Sequence, residues 1–117
     1  MKTIILVDDD DDLCNVFPLA FCANDYHIIT YNSGNQILQN KVEAPDLFVL
    51  DKNISGSSGL DLCRFIKTNE HYKHVPVCIL SASPDISRVS MEAGADDSLA
   101  KPFSLKMLRD TLSKYLH

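Results

Sequence analysis

Short apolar runs rich in β-branched residues, separated by segments long enough for a helix, constrain this chain more than any other feature. Ile4-Ile5-Leu6-Val7 and Leu47-Phe48-Val49-Leu50 carry no alternating polar residue, and Val75 to Leu80 is nearly as apolar. Strands of that kind are buried on both faces, the condition of a parallel sheet covered by helices. Tyr26 to Tyr31 and Ser98-Leu99-Ala100 read as two further strands. Five strands alternating with helical segments predict an α/β domain whose parallel sheet has right-handed crossovers and helices on both faces.

The helical segments carry their own signals. Leu13, Val16, Phe17, Ala20 and Phe21 recur at the spacing of one helix face, with Pro18 inside the stripe, where it should kink the helix or mark a late start. Asn32-Ser33-Gly34 supplies capping chemistry for a short helix through Ile37 and Leu38. Ser55-Gly56-Ser57-Ser58-Gly59 is a loop leading into a helix with Leu62, Phe65 and Ile66. Ser83 before Pro84 reads as an N-cap, opening a helix that Ala93-Gly94 ends. Leu105, Leu108, Leu112, Tyr115 and Leu116 stripe the last helix.

With 117 residues, the chain has room for one compact domain, 1–117, and not for two. Hydrophobic content of 45% against 23% charged residues is that of a soluble globular protein. No apolar stretch approaches membrane-spanning length and no basic-then-apolar leader precedes the first strand, so a cytoplasmic location is expected. A net charge of -5 argues against direct binding of nucleic acid, which draws its affinity largely from clustered Lys and Arg. Cys14, Cys22, Cys63 and Cys78 lie in apolar patterns without a Cys-x-x-Cys pair and are expected as buried free thiols. His71 and His74 lack a metal-ligand partner in the pattern and are expected in a solvated loop or helix end.

Topology gathers the chemically capable residues. Asp8 and Asp9, Asp51, Ser81 and Lys101 stand at the ends of the first, third, fourth and fifth strands, so all should converge at the carboxyl edge of the sheet, where such sheets bind ligands. Like-charged carboxylates about 4 Å apart cost roughly 4 kcal/mol per pair at an effective dielectric near 20. A hard divalent cation with oxygen ligands, Mg²⁺ above all and Mn²⁺ as an alternative, neutralises them, with Lys101 beside it. With such an ion present, Asp51 is the candidate nucleophile toward phosphorus, while Ser81 and Lys101 supply hydrogen bonding and charge. Asp10, Asp11 and Asp12 are expected only to start a helix, favoured by its dipole.

The segments Ile5-Leu6-Val7-Asp8-Asp9, Pro45-Asp46-Leu47-Phe48-Val49-Leu50-Asp51, Val77-Cys78-Ile79-Leu80-Ser81-Ala82 and Gly94-Ala95-Asp96-Asp97, followed by Lys101-Pro102-Phe103, together resemble the receiver domain of two-component response regulators. The resemblance runs from Lys2 to the final helix. It implies a flavodoxin-like (βα)5 doubly wound sheet of strand order 2-1-3-4-5. It also implies that Asp51 accepts a phosphoryl group from a sensor histidine kinase or a histidine phosphotransfer protein. Asp8, Asp9, Asp51 and the backbone carbonyl of Asn53 would hold Mg²⁺, Ser81 and Lys101 would contact the phosphoryl group, and the Lys101–Pro102 peptide would be cis. Phosphorylation would then act on an output domain or partner through the fourth helix, fifth strand and fifth helix, in a monomer or a weak phosphorylation-linked dimer.

Departures from the family pattern carry information. Ser55 replaces a usual proline, Ser81 a frequent threonine, and Ser98 the aromatic residue usual at the fifth-strand switch position. Other classes match less well. A haloacid-dehalogenase-type hydrolase would want a hydroxyl residue at Asp12 and room for a cap domain. A calcium loop starting at Asp8 fails at Leu13, where glycine belongs, and at Leu19, where glutamate belongs. A phosphorylation-independent interaction module on the same fold keeps some support from Ser98.

Overall fold

The computed structural model describes residues 2–21, 25–54 and 57–116. The expectations for Cys22 and for Ser55 and Gly56 fall outside these residues.

Five strands form one parallel sheet: β1 (Lys2–Val7), β2 (Tyr26–Tyr31), β3 (Leu47–Asp51), β4 (Val77–Ser81) and β5 (Asp97–Ala100), in the order β2-β1-β3-β4-β5. That is the order expected. Register aligns the carboxyl ends: Val7 lies opposite Leu50, Asp51 opposite Leu80, and Ser81 opposite Ala100. The helices are α1 (Asp11–Val16), α2 (Asn35–Leu38), α3 (Gly59–Thr68), α4 (Ile86–Glu92) and α5 (Leu105–Ser113).

Period-two alternation divides the strand residues between two cores. Ile5, Val7, Phe48, Leu50, Val77 and Ile79 pack with Ile37 of α2, Leu62, Cys63 and Ile66 of α3, and Ile86 of α4. Their neighbours Ile4, Leu6, Leu47, Val49, Cys78, Leu80 and Leu99 pack with Leu13 of α1 and with Leu108 and Leu112 of α5. Both faces of β1, β3 and β4 are therefore dry, and the unbroken apolar runs in the sequence have this as their cause.

Several boundaries differ from the sequence reading. Pro18 produces neither a simple kink nor a late start: the α-helical stretch stops at Val16 and Phe17–Ala20 continues as a 3-10 turn, where proline occupies an early position that needs no N–H bond. Ser83 does not cap the fourth helix. Asp85 holds the N-cap position without a side-chain bond, Ser83 accepts the Ile86 N–H through its carbonyl, and its hydroxyl is taken by Lys52. The capping expected before α2 likewise falls to Gly34, again without a side-chain bond. β4 begins at Val77, because the Val75 N–H turns back to the Tyr72 carbonyl. Tyr115 and Leu116 lie beyond the end of α5, although both remain packed against the core.

Other caps match their chemistry. Ser58 accepts from Leu60 N–H at the start of α3, and Ser104 from Met107 N–H at the start of α5. After α4, Gly94 adopts φ +90°, a left-handed conformation in which glycine carries no Cβ penalty.

Among the described residues one buried hydroxyl is left over. Ser90 on α4 is buried and its Oγ has no hydrogen-bond partner. Replacing an unsatisfied buried hydroxyl by a methyl group removes a desolvation cost without losing a bond. Ser90→Ala should raise stability by about 1 kcal/mol in urea unfolding; an unchanged or lowered midpoint would contradict this account of α4 packing.

Candidate functional site

Strand alternation also aims the site residues. Asp8 continues the parity of Leu6, Asp51 that of Val49, and Lys101 that of Leu99, so the three side chains emerge toward the α1 and α5 layer. Ser81 follows Val77 and Ile79 in parity and leans toward the α3 and α4 layer. The ladder extends to the edge itself, with Asp8 N–H bonded to Tyr31 O and Lys101 N–H to Ser81 O.

Lys101 Nζ donates to Asp51 Oδ2 at 3.0 Å and stands 3.8 Å from Asp8 Oδ2. Asp51 Oδ1 accepts the Asn53 N–H at 3.2 Å, and Asp8 Oδ1 accepts the Asp10 N–H at 2.8 Å. Asp8 is 1% exposed and Asp51 7%, whereas Asp9 is exposed. Carboxylate oxygens of Asp8, Asp9 and Asp51 all lie within 4.8 Å of one another. Asp8 Oδ2 is buried without a hydrogen-bond partner.

The electrostatics follow from that crowding. Burial pushes the Asp8 carboxyl up to about 6, opposed by the Asp10 N–H and helped by the Asp51 charge. Burial works against the Lys101 ammonium, but the hydrogen bond and charge of Asp51, with Asp8 and Asp10 adding, outweigh it and hold its pKa above the usual lysine value. A buried carboxylate oxygen without a donor, beside two more carboxylates, fits a hard divalent cation, which takes oxygen ligands of this kind.

Ser81 is 2% exposed, and its Oγ accepts the Ser83 N–H at 3.0 Å. It is not hydrogen-bonded to Asp51, so the hydroxyl lies at the edge of the site without engaging the carboxylate. The Lys101–Pro102 peptide is cis. Ser98 is half-buried on β5, its N–H bonded to its neighbour Asp97. The Asn53 side chain is exposed.

Three participants escape the sequence reading. Lys52, directly after Asp51, donates through Nζ to Ser83 Oγ at 3.2 Å, so that these two residues bridge β3 and the segment after β4. Nothing in the pattern distinguishes Lys52 from a surface lysine. Gly59 is the third: a Cβ there would collide with the Asp51 carbonyl oxygen, a backbone contact that cannot give. Its N–H binds Lys52 O at 2.7 Å, closing a short antiparallel ladder between Asn53–Ile54 and Ser57–Ser58. A glycine after a serine-rich loop is the only trace of this requirement in the sequence.

The remaining candidates stay outside the site. Cys63 and Cys78 are buried, and burial raises their thiols to about 11 and about 12, as expected of inert packing residues. Cys14 is only half-buried, with its Sγ directed to Asp8 O at 3.6 Å. His71 and His74 are exposed, in the turn before β4. Asp10 precedes α1, which begins at Asp11.

A model of the response regulator receiver domain matches residues 4–113. The DNA-binding response regulator MtrA of Mycolicibacterium smegmatis is 33% identical over 110 residues, covering 92% of this chain and 47% of that protein. This chain thus spans about half the length of the curated relatives it matches. A response regulator from Chloroflexus aurantiacus superposes with a TM-score of 0.88 at 31% identity, over 98% of this chain and 97% of that one. The BeF3-activated DrrB receiver domain, from Thermotoga maritima, superposes with a TM-score of 0.86 at 29% identity, over 99% and 97%.

The Asp8 environment has a measurable consequence. Its folded pKa lies above the unfolded value near 3.9, so the ionised group costs stability above about pH 6, and stability is regained as pH falls from there toward 4. With chelator at pH 7.5, Asp8→Asn should be more stable than the parent, because it removes a carboxylate whose burial raises its pKa. Mg²⁺ should stabilise only the parent. Denaturant curves with and without Mg²⁺ test this; a destabilised Asp8→Asn in chelator would refute burial of an uncompensated charge as the cause.

Proposed function

The chain belongs to the response regulator receiver domain family, and from that premise we propose that Asp51 is its phosphoacceptor. The supporting observation is the single cluster in which Asp51 is held by Lys101 Nζ at 3.0 Å and flanked by the carboxylates of Asp8 and Asp9. Asp8, Asp9, Asp51 and the backbone carbonyl of Asn53 would hold Mg²⁺, and Mn²⁺ could replace it. The ion, when bound, supplies positive charge to the oxygens of the transferring group.

The chain's own residues do the rest. The Asn53 N–H and Lys101 Nζ fix the two oxygens of the Asp51 carboxylate and so aim it at phosphorus. As the Asp51 O–P bond forms, the P–N bond of a phosphohistidine on a kinase or phosphotransfer protein breaks, and the imidazole nitrogen keeps the electron pair. Lys101 then neutralises charge on the phosphoryl group, and the Ser81 hydroxyl donates to it. The only catalysis in this reading is the domain's own phosphorylation and dephosphorylation.

Phosphorylation shifts a two-state equilibrium of the segments after β3 and β4, and a partner or output domain reads it through α4, β5 and α5. Ser98, with no ring to reorient, must take part differently from an aromatic residue. We place the domain, residues 1–117, in the cytoplasm; among the described residues no helix is long and apolar enough to cross a membrane. The exclusion of nucleic acid argued from net charge extends only to this acidic segment, because relatives that match it carry DNA binding in their names.

Incubation with Mg²⁺ and acetyl phosphate should add the mass of one phosphoryl group, and chelator or Asp51→Asn should abolish the adduct. No adduct, or one that survives Asp51→Asn, sinks the assignment.

A further inference from the structure

Lys52 and Ser83 form a strap across the mouth of the site, and we propose that this strap is a latch holding the domain in its unphosphorylated arrangement. The inference rests on the phosphoacceptor reading of Asp51 and concerns residues that reading leaves unused. Lys52 is the fixed post: its N–H binds Leu80 O at 2.8 Å and its carbonyl accepts the Gly59 N–H at 2.7 Å, so its backbone is tied to β4 on one side and to the start of α3 on the other. Ser83 is the other end. It lies between β4 and α4, its hydroxyl accepts from Lys52 Nζ at 3.2 Å, and its N–H donates to Ser81 Oγ at 3.0 Å.

Three groups are thus connected in series, Lys52 to Ser83 to Ser81. Ser81 Oγ accepts the Ser83 N–H, which leaves its own O–H free to donate, and it is not bonded to Asp51. To donate to a phosphoryl group on Asp51 the hydroxyl moves toward that residue and, with the Ser83 N–H still bonded to it, carries Ser83 along. That movement displaces Ser83 relative to a lysine whose backbone is anchored, so the bond between Lys52 and Ser83 lengthens or opens. The freed ammonium is one residue from the phosphoacceptor, where an added anion gives it a better partner than a neutral hydroxyl. Hydrogen bonding then couples occupancy of Asp51 to the segment before α4, without a ring at position 98. Lys52 and Ser83 are positioning residues in this scheme; they act through Ser81.

A latch favouring one state lowers apparent affinity for any ligand of the other, and its removal raises that affinity. The probe is beryllofluoride with Mg²⁺, which mimics the phosphoryl group; the chain has no tryptophan, so amide chemical shifts of labelled protein report binding. Ser83→Ala, which keeps the lysine charge, should bind beryllofluoride about five-fold tighter, the factor expected from one lost hydrogen bond. Ser83→Thr keeps the hydroxyl and should bind like the parent. Lys52→Met removes an attractive charge as well as the strap, so its own effect is mixed. In that background, however, Ser83→Ala should change affinity no further, and a general loss of packing would not produce this non-additivity. Unaltered or weakened binding by Ser83→Ala, or the same five-fold gain with Lys52 absent, overturns the latch and leaves the phosphoacceptor assignment standing. Failure of the parent itself to bind beryllofluoride overturns both.

Discussion

Asp8 and Asp51 depend on a single lysine. Lys101 Nζ is 3.0 Å from one carboxylate and 3.8 Å from the other, and both acids are buried at the carboxyl edge of the sheet. Two such charges brought together without compensation would repel by several kcal/mol at the effective dielectric of a protein. The compensation is incomplete: Asp8 Oδ2 still lacks a donor, and its carboxyl is pushed up to about 6. That residual imbalance fits a hard divalent cation, and the surrounding backbone is arranged to maintain it.

Maintenance falls to the register of the sheet. Pairing of Val7 with Leu50 and of Ser81 with Ala100 brings Asp8 beside Asp51 and carries Lys101 to the same edge. A slip of one residue in either pairing would send those side chains to opposite faces. The two apolar layers forbid such a slip, because each would then have to exchange its whole set of side chains. Gly59 adds a local condition, since the start of α3 passes so close to the Asp51 carbonyl that no side chain fits between them. The stability of the core and the geometry of the site therefore share one cause.

Much of this was legible in the chain. Unbroken apolar runs such as Leu47-Phe48-Val49-Leu50 identify strands buried on both faces, and the polar residues at their ends converge at the carboxyl edge of the sheet. Boundaries were less legible where polar side chains had competing partners. Ser83 has the residue type and the following proline of an N-cap, but its hydroxyl is spent on Lys52, a partner 31 positions away. Pro18 was recognisable as a perturbation, yet whether it bends, delays or tightens a helix depends on how Phe17 and Ala20 pack beneath it.

What the sequence determined by itself is the five strands of the parallel sheet, their arrangement, and the identity of Asp8, Asp9, Asp51, Ser81 and Lys101 as residues of one edge, because hydrophobic periodicity and strand-end position are local properties; the short antiparallel pair Asn53–Ile54 and Ser57–Ser58 it read as loop. Tertiary structure alone decided which of them touch. It placed Lys101 on Asp51 and near Asp8, left Ser81 turned to Ser83, and recruited Lys52 and Gly59. Those outcomes depend on distances between segments far apart in the chain, which are fixed by register and layer packing and leave no signature in the neighbouring residues.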